Sequence, residues 1–109
     1  MNFTDSKGDH EQSFDRVLLS IGIQANSDNL GLENTLVQTD RDFIIIDDQM
    51  QTTQENIFAI GDVTGKLPLA HVASSQATNV VEHIAGLNPP TLDYSFMPRA
   101  TYCSPQVAS

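Results

Sequence analysis

A glycine–aspartate pair that ends a short apolar run is the first place in this chain where side chains could do chemistry. The run is Ile57–Ile60, and Gly61 and Asp62 follow it directly. A buried strand that ends in such a turn offers a carboxylate and free backbone N–H groups to a ligand at the edge of a sheet. Both carboxylate oxygens of Asp62 accept hydrogen bonds, which suits the hydroxyls of a sugar or polyol. An aspartate that bonds its own turn explains the position equally well, and both interpretations stay open.

A second candidate lies a few residues further on, where a loop containing Pro68 leads into Leu69–His71. A helical pattern begins here, and the first N–H groups of a helix are unpaired and carry partial positive charge. They could bind a carbonyl or the anionic edge of a ring. His71 by itself is more typical of a packed or solvated histidine than of a catalyst.

The rest of the sequence offers no complete catalytic set and no metal site. Ser74 and Ser75 lack the glycine-framed context of a hydrolase nucleophile, and no glycine-rich phosphate loop occurs. Cys103 is the only cysteine, so no internal disulfide, CxxC redox pair or cysteine zinc cluster can form. We therefore predict no catalytic residue and no metal ligand, and a partly buried structural thiol at Cys103.

Composition excludes several classes of partner. The chain has 109 residues and a formal net charge of −9, which argues against nucleic acid or an anionic membrane surface because polyphosphate binding needs a basic patch. The polar first ten residues do not form a signal peptide. The longest apolar run is too short to span a bilayer. These features predict a soluble, cytoplasmic protein with no membrane and no nucleic-acid partner.

The elements that would position the candidate residues are strands joined by polar turns. Turn residues over Asp5–Asp9 predict a hairpin. The apolar runs predict interior strands at Val17–Ile21 and Ile57–Ile60 and a strand rich in β-branched residues at Phe43–Asp47. A further strand is predicted at Arg99–Cys103, with no partner downstream. Val17–Ile21 and Ile57–Ile60 also lack sheet neighbours in the chain, so we expect uncovered edges and apolar faces. Gly22 could simply end its strand or allow a ligand to approach the backbone.

One helix is predicted over Ala70–Gly86. An apolar stripe recurs at helical spacing through Ala73, Ala77, Val80, Val81, Ile84 and Ala85. Gly86 stands where a C-terminal cap belongs, and the following Asn-Pro-Pro forbids continuation. The small residues near the start of the helix suit close approach either to a flat ligand or to the helix's own sheet, and both interpretations stay open.

Resemblance to a known family is carried by the stretches DRVLLSIG, NLGLENT, TTQENIFAIGDVTGKLPLAH, EHIAGLNPP and MPRATYCSPQVAS. In this order, from about Phe14 to Ser109, they resemble the flavoprotein pyridine nucleotide–disulfide oxidoreductases. Within that family the LAH ending and the PRATYCSPQVAS stretch resemble the dihydrolipoamide dehydrogenases most. The resemblance implies an α/β fold: a partial FAD/NAD(P)-binding Rossmann-like domain of the three-layer type, followed by the start of an α+β dimerisation domain.

The family pattern also implies an organisation for the chain. Residues 1–22 would end the NAD-binding domain, and residues 23–90 would form a central FAD-binding segment with the GD motif and the following helix. Residues 91–109 would begin the dimerisation domain. On this interpretation the chain is an internal fragment of a much longer enzyme. One departure concerns Asp42, which stands where the family commonly has a turn glycine and so puts the geometry of that turn in doubt.

The resemblance implies cofactor contacts at six positions. Asp62 would accept from the ribityl hydroxyls of FAD, Pro68, Leu69, Ala70 and His71 would line the flavin, and Gly22 would lie beside NAD. The helix N-terminus would face the pyrimidine oxygen of the flavin, where the reduced ring carries negative charge.

The activity implied by the resemblance belongs to a whole enzyme that passes electrons from dihydrolipoamide through a cysteine disulfide and FAD to NAD. Its partners would be a second copy, in a homodimer, and the lipoyl domain of a 2-oxoacid dehydrogenase complex or glycine cleavage system. The redox cysteine pair lies outside this sequence, so we expect the isolated chain to be inactive. The alternatives are another family member, of the glutathione or mercuric reductase type, and a non-catalytic flavin-binding or interaction module.

Overall fold

The computed structural model describes all 109 residues. Its secondary structure consists of one long helix, three short 3₁₀ turns and three separate antiparallel pairs of strands. In chain order these are β1 (Asn2–Asp5), β2 (Gly8–Glu11), a 3₁₀ turn at Leu32–Asn34, β3 (Thr39–Asp40), β4 (Phe43–Ile44), a 3₁₀ turn at Gly61–Thr64, α1 (Ala70–Ile84), a 3₁₀ turn at Tyr94–Phe96, β5 (Ala100–Thr101) and β6 (Val107–Ala108).

The N-terminal hairpin forms as predicted. β1 pairs with β2 from Asn2 opposite Glu11 to Asp5 opposite Gly8, and Gly8 takes a positive φ of 121°. The Asp5 carboxylate accepts a hydrogen bond from the Lys7 backbone N–H at 2.7 Å, which closes the turn with a local side-chain bond.

The prediction of an interior strand at Val17–Ile21 is wrong for this chain. The segment has no regular structure, and Leu18 and Ile21 are 90% and 87% exposed. An interior strand must pair its N–H and C=O groups with neighbours on both sides, and no other segment pairs with this one. The uncovered apolar side chains agree with the expectation that its sheet neighbours are absent.

The core lies between the middle of the chain and α1. Its buried apolar residues are Ile44, Ile46, Met50, Ala59 and Val80, with Leu32, Val37, Phe58, Val63 and Leu92 packed around them. The predicted strands here are shorter than expected. Phe43–Asp47 retains β4 and an isolated bridge from Ile46 to Thr52, and Ile57–Ile60 makes only a bridge from Phe58 to Gln51.

α1 confirms the predicted helix and its end. Gly86 has a φ of 76°, its N–H bonds the carbonyl of His83, and the Leu87 N–H bonds the carbonyl of Glu82, which is the glycine-terminated Schellman arrangement. The predicted apolar stripe is partly wrong, because Val81 and Ile84 are exposed. The buried face instead comprises Val72, Gln76, Asn79 and Val80.

The C-terminal segment departs from two expectations. β5 does have a downstream partner: Ala100 lies opposite Ala108 and Thr101 opposite Val107, because the chain turns back at Cys103–Pro105 within the residues present. Cys103 is exposed and its Sγ lies 2.9 Å from the carbonyl of Pro105, so the prediction of a partly buried thiol is wrong. No helix in the structure has both the length and the apolar character needed to cross a membrane.

Candidate functional site

The glycine–aspartate turn is fixed at both ends by glycines with positive φ. Gly61 has a φ of 77° and opens a 3₁₀ turn that ends at Gly65, whose φ is 65°. A Cβ at Gly65 would lie 2.8 Å from the ring of Phe43, so only glycine fits there. The Thr64 hydroxyl donates to the carbonyl of Gly61 at 2.8 Å, which tightens the turn from within.

Asp62 projects from this turn with an exposed side chain. Its backbone carbonyl accepts from the Gly65 N–H at 3.0 Å, whereas the side-chain bonds of the turn come from Thr64 and Gln76 and not from Asp62. The alternative of an aspartate side chain that bonds its own turn is therefore not what the structure shows. The carboxylate is free to accept from an external donor.

The helix N-terminus is uncapped. Leu69 occupies the N-cap with extended backbone, no side chain bonds the first turn, and no acidic residue lies in it. The first bond of the helix runs from the Ala73 N–H to the Leu69 carbonyl at 3.1 Å, so the N–H groups of Ala70, His71 and Val72 have no partner within the helix. Ala70 and His71 are also exposed. This end of α1 therefore presents unpaired donors and the positive end of the helix dipole.

The turn and the helix start lie against each other. A Cβ at Gly61 would be 3.5 Å from the Cβ of Ala73, and the Gly61 N–H donates to the Gln76 Oε1 at 2.6 Å. The connection between them is short, with Pro68 exposed and Leu69 half-buried. The structure thus packs the turn that carries position 62 on the first turns of the helix, and positions 62, 68, 70 and 71 are exposed on the surface there.

Gly22 is not brought to this surface. It lies in the irregular segment, exposed, with a φ of 135° and nothing within 4 Å of an added Cβ. The surface depression at this point is lined only by residues 21–24. Contact between Gly22 and NAD remains a prediction.

Sequence reasoning missed Gln76 and Tyr94. Gln76 is 1% exposed and its Nε2 donates to the Tyr94 hydroxyl at 3.0 Å. The signal that could have found it is a long polar side chain four residues after Val72 and four before Val80, on the buried face of the helix. A buried amide at such a position needs hydrogen-bond partners from other segments.

The site contains no obvious metal centre. No group of three or more His, Cys, Asp or Glu side chains lies close enough together to hold an ion. The donors that converge here are backbone N–H groups and one carboxylate. They suit an organic ligand that carries hydroxyls and a carbonyl or anionic ring edge.

Comparison with known sequences gives a consistent result. Residues 3–77 match the family model of pyridine nucleotide-disulphide oxidoreductases. The chain is 54% identical over 97 residues to the dihydrolipoyl dehydrogenase of Corynebacterium glutamicum and 48% identical over 97 residues to that of Bacillus subtilis. These alignments cover 87% and 89% of the chain. The chain spans only 21% and 20% of the lengths of these two relatives.

Solved structures agree on the fold. LpdA from Mycobacterium tuberculosis superposes with a TM-score of 0.81 at 29% identity, covering 98% of this chain and 23% of LpdA. The Cu(II) complex of the HOCl-induced flavoprotein disulfide reductase RclA from Escherichia coli has a TM-score of 0.80 at 23% identity, with 98% of this chain and 25% of that protein covered. These likenesses confirm the predicted α/β class and the partial FAD/NAD(P)-binding Rossmann-like domain.

Proposed function

Because the chain belongs to the pyridine nucleotide-disulphide oxidoreductase family, we propose that it supplies the flavin-facing part of an FAD site in a dihydrolipoyl dehydrogenase. The observation that carries the proposal is the packing of the Gly61–Asp62 turn on the uncapped start of α1. The Asp62 carboxylate is exposed and accepts no hydrogen bond within the chain, and the first N–H groups of the helix have no side-chain cap, which supports the proposal.

The two halves of this surface fit two parts of FAD. The exposed carboxylate of Asp62 can accept two hydrogen bonds from the ribityl hydroxyls. The unpaired N–H groups of Ala70 and His71 can donate to a pyrimidine carbonyl of the flavin, and the helix dipole favours the negative charge that this ring gains on reduction. Pro68 and Leu69 would pack beside the ring. Bound FAD would supply the electron transfer, while these residues bind and orient it.

The activity of the whole protein is proposed from its relatives, which are named dihydrolipoyl dehydrogenases. It would oxidise dihydrolipoamide with NAD in the cytoplasm, as a homodimer that serves a lipoyl-bearing complex. Residues 1–22, 23–90 and 91–109 would belong to its NAD-binding, FAD-binding and dimerisation domains, with Gly22 beside NAD. The single exposed Cys103 cannot form a redox disulfide within this chain, so the cysteine pair would have to be supplied from elsewhere.

A flavin-binding module without chemistry is the second candidate. It is favoured by the same lone cysteine, because a redox disulfide needs two cysteines. Both candidates require the FAD surface, so a binding experiment comes before any assay of turnover.

The test is titration of the purified 109-residue chain with FAD, followed by flavin fluorescence anisotropy, in the parent chain and in two matched variants. We expect Asp62→Asn to weaken binding by roughly tenfold, since a charge-assisted bond contributes about 1.5–3 kcal/mol. Asp48→Asn removes the same charge at an exposed position outside the site and should leave the affinity unchanged. Equal affinity in the parent and Asp62→Asn, or no binding by the parent chain, would contradict the proposal.

A further inference from the structure

We infer that Gln76 is a positioning residue for the Asp62 turn, and that Tyr94 anchors the Gln76 amide by accepting from its Nε2. This inference rests on the proposed FAD site, since Asp62 is the group that would touch the cofactor. Gln76 is buried and Tyr94 reaches Gly61 only through Gln76, so both would act through the turn.

Gln76 ties three segments of the chain together. Its Oε1 accepts from the Gly61 N–H at 2.6 Å, and its Nε2 donates to the Tyr94 hydroxyl at 3.0 Å. The same hydroxyl lies 3.9 Å from the Sδ of Met50, which is 1% exposed. The side chain is thus buried with both ends of its amide engaged, and a buried amide that lost either partner would be left unsatisfied.

The orientation of the amide is dictated by its two partners. Gly61 can offer only an N–H, so it requires the oxygen of Gln76. A flipped amide would set its NH₂ group against that N–H. The Tyr94 hydroxyl can accept from Nε2 while its own hydrogen points towards Met50. The Gly61 N–H therefore selects the orientation of the amide, and the Tyr94 hydroxyl holds its Nε2 by accepting from it.

The bond to Gly61 fixes the direction of Asp62. It holds the peptide plane between Ile60 and Gly61, at the point where the backbone passes from extended geometry into the positive φ of Gly61. Asp62 is the next residue, and its exposed carboxylate has no bond of its own to hold it. Without the bond from Gln76, the turn would keep the contact with Ala73, the bond of the Thr64 hydroxyl and the bond from the Gly65 N–H to the Asp62 carbonyl, but nothing would hold the Gly61 N–H.

The hydrogen bonds that link Gly61, Gln76 and Tyr94 predict which substitutions the turn tolerates. In Gln76→Glu the carboxylate can accept from both the Gly61 N–H and the Tyr94 O–H, because a tyrosine hydroxyl donates as readily as it accepts. The apolar side chain in Gln76→Leu can neither accept from the Gly61 N–H nor donate to the Tyr94 hydroxyl. Tyr94→Phe leaves Nε2 without an acceptor but preserves the bond to Gly61. In the double variant Gln76→Glu with Tyr94→Phe, a buried carboxylate would retain only one donor, so this variant should be worse than either single change.

The first readout is independent of FAD: amide hydrogen exchange of Gly61 in the ¹⁵N-labelled chain. Gln76→Leu should raise it at least about tenfold, Gln76→Glu should leave it near the parent value, and Tyr94→Phe should fall between. The Ala59 N–H, which bonds the carbonyl of Met50 in the core, is the internal control. An equal rise at Ala59 and Gly61, or no change at Gly61, would overturn the inference. Should Gln76→Leu fail to fold, Gln76→Glu with and without Tyr94→Phe decides the same question.

The second readout is a double-mutant cycle on FAD affinity. If Gln76 acts through Asp62, Gln76→Leu should weaken FAD binding about tenfold in the parent but have little effect in the Asp62→Asn background. Additive losses would overturn the positioning role. A parent chain that binds no FAD would refute the proposed function instead, and the exchange of Gly61 would still report whether Gln76 anchors the turn.

Discussion

Two segments of this chain are rich in apolar residues, but the one that packs on the helix is buried and the one nearer the N-terminus is exposed. Ile44, Ile46 and Met50 are buried against Ala59 and Val80, whereas Val17, Leu18, Leu19 and Ile21 are exposed in a segment with no regular structure. Hydrophobicity alone therefore does not decide which run of this chain is buried. The difference lies in whether nearby residues can satisfy the backbone.

The buried segment, residues 44–59, pairs its backbone groups through bonds between residues that are close in sequence. The Asp47 carboxylate accepts from the N–H groups of Gln49 and Gln51, which turns the chain back so that the Thr52 N–H reaches the Ile57 carbonyl and the Ala59 N–H reaches the Met50 carbonyl. The Val17–Ile21 run has no such turn beside it. Its backbone could be paired only by strands that no segment of this chain provides.

The largest expected effect contrasts one apolar residue from each region. Met50→Ala should destabilise the chain by about 2–5 kcal/mol, because it removes a fully buried side chain and leaves a cavity. Leu18→Ala deletes a similar volume from an exposed position and should change the free energy of unfolding by less than about 0.5 kcal/mol. Urea unfolding followed by circular dichroism measures both. Similar losses for the two variants would mean that the exposed run is buried in solution and would abolish the contrast.

The same contrast explains which parts of the fold the sequence could predict. The helix was predicted with its true end because Gly86 and the following prolines act locally, and the first hairpin because Asp5 and Gly8 determine its turn. The strand predicted at Val17–Ile21 is absent from the structure, because its formation depends on partners distant in sequence. The pairing of β5 with β6 was missed because each strand has only two residues.

The candidate site follows the same pattern. Positions 62 and 68–71 could be picked out because a strand-ending Gly-Asp and a helix start are visible in short stretches of sequence. The packing of these positions against each other could not be predicted, because it depends on Gln76 and Tyr94. These two residues lie 15 and 33 positions after Gly61, whose N–H Gln76 binds directly and Tyr94 supports through Gln76. Buried polar side chains recruit partners by three-dimensional proximity, which no local pattern records.

A smaller effect is expected at the turn between β3 and β4, on the border of the two regions. Asp42 has a φ of 66°, so this turn is of the kind that favours glycine. Its carbonyl accepts from the Ser27 hydroxyl at 2.6 Å, a bond that glycine would keep because it involves only the backbone of residue 42. Asp42→Gly should stabilise the chain by about 0.5 kcal/mol, because relief of left-handed strain exceeds the added unfolded-state entropy.

The matched control for this turn is Asp48→Gly. Asp48 is exposed and does not have a positive φ, so glycine brings only the entropic cost, and a loss of about 0.5–1 kcal/mol is expected. The two substitutions should therefore shift the urea midpoint in opposite directions. A loss in both would show that the left-handed backbone at Asp42 carries no strain.

The smallest effect concerns the first hairpin, which lies outside the core yet is ordered by its own bonds. The Lys7 backbone N–H, and after it the His10 side chain, hold the pKa of the Asp5 carboxyl below its ordinary value of 3.8. A lowered folded-state pKa means that the ionised carboxylate stabilises the hairpin at pH above 3.8. This contribution is lost as the pH falls below 3.8 and through the folded-state pKa.

We expect the NMR titration of the Asp5 carboxyl to have its midpoint below 3.8, and the Lys7 amide to follow the same curve. His10→Phe, which retains an aromatic ring to stack on Phe3, should raise that midpoint only in part, because the larger cause, the Lys7 bond, remains. A midpoint that returns fully to 3.8 in His10→Phe would mean that the His10 side chain, and not the Lys7 backbone N–H, holds the Asp5 carboxylate. The hairpin would then depend on a side chain outside its turn, as Val17–Ile21 depends on partners outside its own segment.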